Sequence, residues 1–269
     1  MSGSVLIWLY RHSLPVRLTH WINVLCLTIL VMSGLQIFNA HPALYWGERS
    51  DPDKALLSMK AMRDESGQLM GVTRILDYAY DTTGILGAST DGTGQTRARG
   101  FPDWATIPGP QWLAMGRRWH LFFAWLFVVN GLLFALYAII SRHLANDLMP
   151  WWKDLRGIGR SVLDHLLFRH PKGEAARRYN VLQKIAYILV IFGLGPLIVL
   201  TGLSMSPMLN AAFPELLTLF DGRQSARTIH FITAFAFIGF VLIHVFMVLI
   251  SGVWNNLRSM ITGWYTVRS

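Results

Sequence analysis

Four stretches of about 20 apolar residues, none with an Asp or Glu, dominate this 269-residue chain. A helix needs about 20 predominantly apolar residues to cross the hydrocarbon core of a bilayer. Only 14% of the residues are charged, whereas a soluble domain carries about 25%. We therefore predict an all-α integral membrane protein, a single four-helix bundle domain over residues 1–269 with spans at about residues 18–38, 119–140, 181–203 and 228–250.

The basic residues predict how the spans are oriented. Short loops rich in Lys and Arg stay in the cytoplasm. Residues 141–180 carry eight Lys and Arg, whereas the connection at residues 204–227 carries two. We expect both termini and residues 141–180 on the cytoplasmic side, with residues 39–118 as a long outer loop. The net charge of +9 follows from this asymmetry, and the chain shows no nucleic-acid-binding module.

The two long connections carry local structure signals. Ser50–Asp51–Pro52 is typical of a helix start and predicts a short amphipathic helix through Met62. Residues 84–100 are rich in Gly, Ser and Thr, so we expect them to be flexible. In the cytoplasmic loop, residues 150–168 alternate apolar with basic side chains, which predicts a helix lying in the membrane interface.

Histidines are the candidate cofactor ligands. With Cys26 as its only cysteine, the chain has no Cys-ligated iron–sulfur cluster and no CxxCH haem site. Of nine histidines, four lie within or at the rims of the spans: His20, His120, His230 and His244. Ionisable residues in spans are costly and usually functional. The other five lie in connections or arms, where we expect solvated or interfacial roles.

The predicted topology sorts these four histidines into two pairs. His230 and His244 are 14 residues apart on one span, so they point to the same side and lie about 21 Å apart along the helix axis. The predicted orientation places His120 with His230 near the outer face and His20 with His244 near the inner face. Two imidazoles at each depth predict two bis-histidine b-type haems stacked across the bilayer.

These residues resemble the bacterial membrane di-haem cytochrome b superfamily, which includes the cytochrome b subunits of thiosulfate reductase, nickel–iron hydrogenase and formate dehydrogenase. The matching residues are Arg17-Leu18-Thr19-His20-Trp21, Ser33-Gly34, Arg118-Trp119-His120, Arg178-Tyr179-Asn180, Gln183-Lys184, His230 and His244. The resemblance implies the same haem pairing, a bacterial inner membrane and a periplasmic outer loop. The long loop is most similar to the thiosulfate-reductase type, which implies a molybdopterin oxidoreductase as partner.

A quinone site is predicted at the cytoplasmic start of the third span. Asn180, Gln183 and Lys184 stand at i, i+3 and i+4, so one helical face presents them together. The resembling formate dehydrogenase subunits carry a quinone at an Asn in this place. The alternative is an ordinary polar helix start with a snorkelling lysine. Arg118 and Arg178 either bind haem propionates or mark the membrane interfaces.

The leading hypothesis is a subunit that transfers electrons between the quinone pool, ubiquinone or menaquinone, and a periplasmic molybdopterin oxidoreductase or cytochrome. A self-contained quinone-linked oxidoreductase that acts on superoxide or another small molecule at the outer haem is an alternative, so enzyme status stays open. A transporter with a histidine proton relay is a third, and it predicts no haem. Whether the chain forms a homodimer also stays open.

Overall fold

Four long apolar helices form the framework of the structure, a computed structural model that describes residues 6–159, 161 and 180–268. Each is long and apolar enough to cross a membrane, and each contains one predicted span: α1 (Leu14–Phe38), α2 (Leu113–Ile140), α4 (Val181–Ser204) and α7 (Arg223–Ile250). Large apolar side chains on them are exposed, such as Phe122 at 67% and Leu132 at 66%. A soluble protein would bury such a surface, whereas lipid would cover it.

Shorter elements complete the helical part. They are α3 (Trp152–Arg156), α5 (Pro207–Ala212), α6 (Glu215–Leu219) and α8 (Val253–Thr262). Within α4, residues Leu189–Leu194 form a π-helical turn directly before Pro196, where proline removes a backbone donor. The predicted interfacial helix is described only at its start, by α3, because most of residues 160–179 lie outside the described residues.

The segment between α1 and α2 is built of β-strands, so the all-α prediction is wrong. An antiparallel sheet takes the order β2-β3-β4-β5, next to a β6–β7 hairpin. The sheet consists of β2 (Ala43–Leu44), β3 (Leu57–Arg63), β4 (Leu69–Ile75) and β5 (Tyr78–Asp81). The hairpin consists of β6 (Gly87–Thr90) and β7 (Thr96–Arg99). A further strand pair joins β1 (Leu6–Tyr10) to β8 (Trp264–Arg268).

The helix predicted to start at Asp51 is a single turn. Asp51 accepts a hydrogen bond from the Asp53 amide and starts a 3₁₀ turn over Pro52–Lys54. Met62, expected in a helix, lies in β3 opposite Met70 of β4. The cross-strand pairing along β3 replaces the intrahelical hydrogen bonds that the sequence pattern predicted.

Residues 84–100 are also ordered into strands rather than flexible. The β6–β7 turn is closed by the Asp91 carboxylate, which accepts hydrogen bonds from the Thr93 hydroxyl and the Gln95 amide. The Thr93 hydroxyl bond is the largest cause that lowers the pKa of Asp91 to about 2. A turn residue that stays ionised and accepts several hydrogen bonds fixes this hairpin despite its glycines.

The sheet is attached to the end of α1. Phe38, Leu44, Met59 and Phe101 form a buried apolar cluster. Asn39 extends it with polar bonds, because its Nδ2 donates to the Phe101 carbonyl at 3.0 Å and its Oδ1 accepts from the Phe101 amide at 2.6 Å. Both ends of one buried side chain therefore fix the position of the segment that leads into α2.

The chain divides into two compact units. The terminal unit comprises Met1–Asn23, Val129–Pro196 and Phe235–Ser269. The sheet unit comprises Val24–Val128 and Leu197–Ala234 and contains the four-stranded sheet. Each unit contains one pair of the candidate histidines.

Replacing Gly71 of β4 by Ala should destabilise the sheet unit. A Cβ atom there would lie 2.0 Å from the Leu86 carbonyl oxygen, and such overpacking costs about 1–3 kcal/mol. At Gly92 the nearest atom would be 3.7 Å away, so Gly92→Ala is the matched control. Thermal unfolding of the purified variants in detergent measures the difference; equal melting temperatures would contradict the described packing of β4 against β6.

Candidate functional site: two histidine pairs

The sheet unit brings His120 of α2 and His230 of α7 together. Their ring centroids are 6.2 Å apart, and the ring planes are inclined by 62°. The two side chains come from different helices, and their rings are too far apart for a direct hydrogen bond. Both were predicted as partners in the outer pair.

Each of these rings forms a hydrogen bond with a hydroxyl group of a neighbouring helix. Ser33 Oγ of α1 lies 3.1 Å from His120 Nδ1, and Thr201 Oγ1 of α4 lies 3.0 Å from His230 Nδ1. The same hydroxyls lie 2.6 Å from the Ile29 carbonyl oxygen and 2.7 Å from that of Leu197. Two helices thus hold one imidazole each through an equivalent contact.

A glycine follows each hydroxyl residue and contacts the same ring. A Cβ atom at Gly34 would lie 3.4 Å from His120 Cε1, and one at Gly202 would lie 3.4 Å from His230 Cε1. Small residues let helices approach each other closely in membranes. Here the absent side chain lets each imidazole lie against the backbone of the neighbouring helix.

The terminal unit brings His20 of α1 and His244 of α7 together. Their ring centroids are 6.3 Å apart with an interplanar angle of 57°. Phe240 stacks on His244 at 5.9 Å, and Trp21 meets His20 edge-on at 5.3 Å. His20 Nδ1 is buried and has no hydrogen-bond partner among the described residues, which distinguishes this pair from the first.

A polar cluster adjoins His20 outside the spans. His12, expected in a solvated or interfacial position, is buried. Burial, followed by the positive charge of Arg11, lowers the pKa of His12 to about 4, so its ring is neutral near pH 7. Arg17 donates a hydrogen bond to the Ile261 carbonyl at the end of α8.

The predicted quinone residues have structural partners. Asn180 and Gln183 cap the start of α4, since Asn180 Oδ1 accepts from the Leu182 amide and Gln183 Oε1 accepts from the Asn180 amide, both at 3.1 Å. The buried Lys184 donates from Nζ to Asp154 Oδ2 of α3 at 2.8 Å. Asp154 lies 30 residues away in sequence, so no local pattern could have predicted it.

Of the two predicted propionate-binding arginines, Arg178 lies outside the described residues. Arg118 is exposed and lies beside Met115, Trp119 and Phe122. It precedes His120 by two residues, a spacing that turns two side chains to different faces of a helix.

Sequence reasoning missed Ser33 and Thr201 as contacts of the candidate histidines. The available signal was a hydroxyl–glycine dipeptide within two apolar spans, Ser33-Gly34 and Thr201-Gly202. A polar side chain in a span usually bonds to its own helix backbone, so the dipeptide alone does not reveal the second contact with histidine.

Four membrane-capable helices, three of which bring histidines together in two pairs, are the framework of a membrane cytochrome. The chain belongs to the prokaryotic cytochrome b561 family, whose model matches residues 11–263. It is thus a bacterial membrane protein of the cytochrome b561 electron-transfer type, a family that implies haem b.

One curated relative is a protein of Azospira oryzae with the provisional name protein-methionine-sulfoxide reductase subunit YedZ1. The two sequences are 29% identical over 233 residues, which is 87% of each chain. No solved structure matches this chain.

Replacing Gly34 by Val should displace the His120 ring and weaken binding of the haem that the family implies. Overpacking of about 1–3 kcal/mol corresponds to about 10- to 100-fold weaker binding. Gly131 of α2, where a Cβ would meet no atom within 4 Å, provides the control variant Gly131→Val. Haem titration into the purified apoproteins gives the affinities, and unchanged binding by Gly34→Val would contradict the close contact.

Proposed function

We propose that this protein is a di-haem b subunit that transfers electrons across the membrane, with His120 and His230 as axial ligands of one iron and His20 and His244 as ligands of the other. The observation that carries the proposal is the distance between the two imidazole rings within each histidine pair. A metal–nitrogen bond to histidine is about 2.0 Å long, and the ring centre lies about 1.2 Å behind the nitrogen. Two imidazoles that held one metal from opposite sides would therefore have centroids about 6.4 Å apart. The observed separations are 6.2 and 6.3 Å.

The donor set also fits haem better than a bare metal ion. Within the described residues, no group of three or more His, Cys, Asp or Glu side chains could hold a metal. A protein-bound zinc site needs at least three such ligands, whereas a porphyrin supplies four nitrogens and leaves two axial positions. One imidazole pair could fill those positions, and the contacts of Ser33 and Thr201 hold the His120 and His230 rings in orientation.

Bound haem supplies a reversible one-electron couple, and an iron with two imidazole ligands has no open coordination site. The four histidines therefore serve electron transfer rather than oxygen activation. Helix α7 carries one ligand of each pair, His230 and His244, on a continuous helix. We propose that electrons pass between the two irons along this helix. We also propose that the protein lies in the inner membrane with both termini in the cytoplasm and the sheet on the periplasmic side.

For the cytoplasmic end of the path, we propose that quinone binds beside Lys184 at the start of α4. The ion pair between the buried Lys184 and the half-buried Asp154 is the main support. Quinol oxidation releases two protons with its two electrons; the Asp154 carboxylate could accept a proton from a quinol hydroxyl, and the Lys184 ammonium would orient that carboxylate. Asn180 lies one helical turn away and can donate from its amide to a quinone carbonyl.

For the periplasmic end, we propose a protein partner that exchanges electrons with the His120–His230 site. The A. oryzae relative is named as a reductase subunit, which supports a catalytic partner, and we propose a molybdopterin oxidoreductase. The sheet offers a folded docking surface in place of a flexible loop. Exposed aromatic side chains such as Trp46 at 55% and Trp104 at 75% are of the kind enriched in protein interfaces.

The purified chain should contain two haems b, and His244→Ala should remove one of them. Losing one of two axial imidazoles leaves that iron with a single protein ligand, while the other pair is unchanged. Pyridine haemochrome quantitation and reduced-minus-oxidised spectra measure the content. The control is His41→Ala, because His41 is exposed and outside both pairs.

Two outcomes would contradict the proposed ligation. A colourless wild-type protein would exclude haem altogether. Loss of both haems or of neither in His244→Ala, with His41→Ala unchanged, would show that the proposed pairing of ligands is wrong.

Lys184→Met should slow haem reduction by quinol by about tenfold or more and leave reduction by dithionite unchanged, because dithionite does not need the quinone site. Lys54→Met is the matched control, since Lys54 forms a surface ion pair with Asp51 at 3.7 Å. Stopped-flow absorbance with a short-chain quinol measures both rates. Equal quinol rates in the two variants would place the quinone elsewhere, even though both proteins bind haem.

A further inference from the structure

The hydroxyl groups of Ser33 and Thr201 have only one proton each, and its position can be deduced. Ser33 Oγ lies 2.6 Å from the Ile29 carbonyl oxygen, and Thr201 Oγ1 lies 2.7 Å from that of Leu197. Two oxygens approach this closely only with a proton between them. Each hydroxyl therefore donates to its own helix, and its oxygen is free only to accept.

The protonation state of the two histidines follows. His120 Nδ1 lies 3.1 Å from Ser33 Oγ, and His230 Nδ1 lies 3.0 Å from Thr201 Oγ1. Because each hydroxyl oxygen accepts, the proton of each contact resides on Nδ1. The neutral ring then carries its lone pair on Nε2, which is the form that binds a metal.

We propose that Ser33 and Thr201 are positioning residues for the His120–His230 site: they fix the metal-binding tautomer and ring orientation of these two ligands and lower the reduction potential of the iron bound there. This inference rests on the proposed haem ligation. A hydrogen bond that an Nδ1–H donates raises the basicity of the ligating Nε2, and a more basic ligand stabilises ferric over ferrous iron.

The adjacent glycines make the contact specific. Ser33 and Gly34 contact the same ring at Nδ1 and Cε1, and a Cβ at Gly34 would already lie 3.4 Å from Cε1. Thr201 and Gly202 hold the His230 ring in the same way. A hydroxyl for the bond and a glycine for the space thus occur together on two separate helices.

The second histidine pair provides an internal comparison. His20 Nδ1 has no hydrogen-bond partner among the described residues, and no hydroxyl contact to His244 is found there. Removing the hydroxyl of Ser33 or Thr201 should therefore change one haem of the protein and leave the other unaffected. A general loss of protein stability would affect both haems.

The experiment is a potentiometric titration of the full-length Ser33→Ala and Thr201→Val proteins, monitored by optical and electron paramagnetic resonance spectra. Each variant should retain two haems. At a fixed potential, the ferrous-to-ferric ratio of one haem should rise about three- to tenfold, tenfold corresponding to 59 mV for one electron. Ser33→Thr and Thr201→Ser keep the hydroxyl and should have wild-type potentials.

The matched control is Thr28→Val in α1, whose hydroxyl, among the described residues, bonds to the Val24 carbonyl alone at 2.8 Å. It removes the same kind of helix back-bond without touching a histidine, so both potentials should stay unchanged. If a Ser33→Ala protein lost one haem and Ser33→Thr kept it, the positioning role would still be supported.

Two unchanged potentials in both hydroxyl-free variants, with two haems bound, would overturn this inference and leave the proposed function intact. A shift of equal size in Thr28→Val would also overturn it. Absence of haem from the wild-type protein would instead overturn the proposed function itself.

Discussion

An imidazole buried in an apolar helix is costly unless its two nitrogens have partners, because little water is available to replace them. In the sheet unit, the hydroxyls of Ser33 and Thr201 lie within hydrogen-bond distance of Nδ1 of His120 and His230. In the proposed function, the Nε2 atoms of the same two rings would bind iron. The close helix contacts at Gly34 and Gly202 serve the same requirement, since they bring the hydroxyls within hydrogen-bond distance of the rings.

Hydropathy was sufficient to predict α1, α2, α4 and α7, because a membrane span is a property of about 20 consecutive residues. The sheet between α1 and α2 was not predictable in the same way. Its strands are short, and pairing between residues such as Met62 and Met70 decides their conformation. The helix-start sequence at Asp51 does form one helical turn. Beyond that turn, the chain pairs with a neighbouring strand instead of continuing as a helix.

The candidate site shows the same division between local and long-range information. The 14-residue spacing of His230 and His244 on one helix is a regular pattern, and it pointed to their partners once the topology was predicted. The bonds of Ser33 to His120 and of Asp154 to Lys184 join residues far apart in sequence. Nothing in a single sequence records such contacts. The caps at Asn180 and Gln183 also show that a polar helix start can have a structural reason besides a ligand.

The central claim is that each iron has two histidine ligands, and near-infrared magnetic circular dichroism of the oxidised protein tests it most directly. The low-spin ferric charge-transfer band there depends on the identity of the axial ligands. The account predicts bis-imidazole bands only, with an intensity that corresponds to two irons per chain. A band from methionine or thiolate ligation, or a high-spin signal from an iron with an open position, would contradict it.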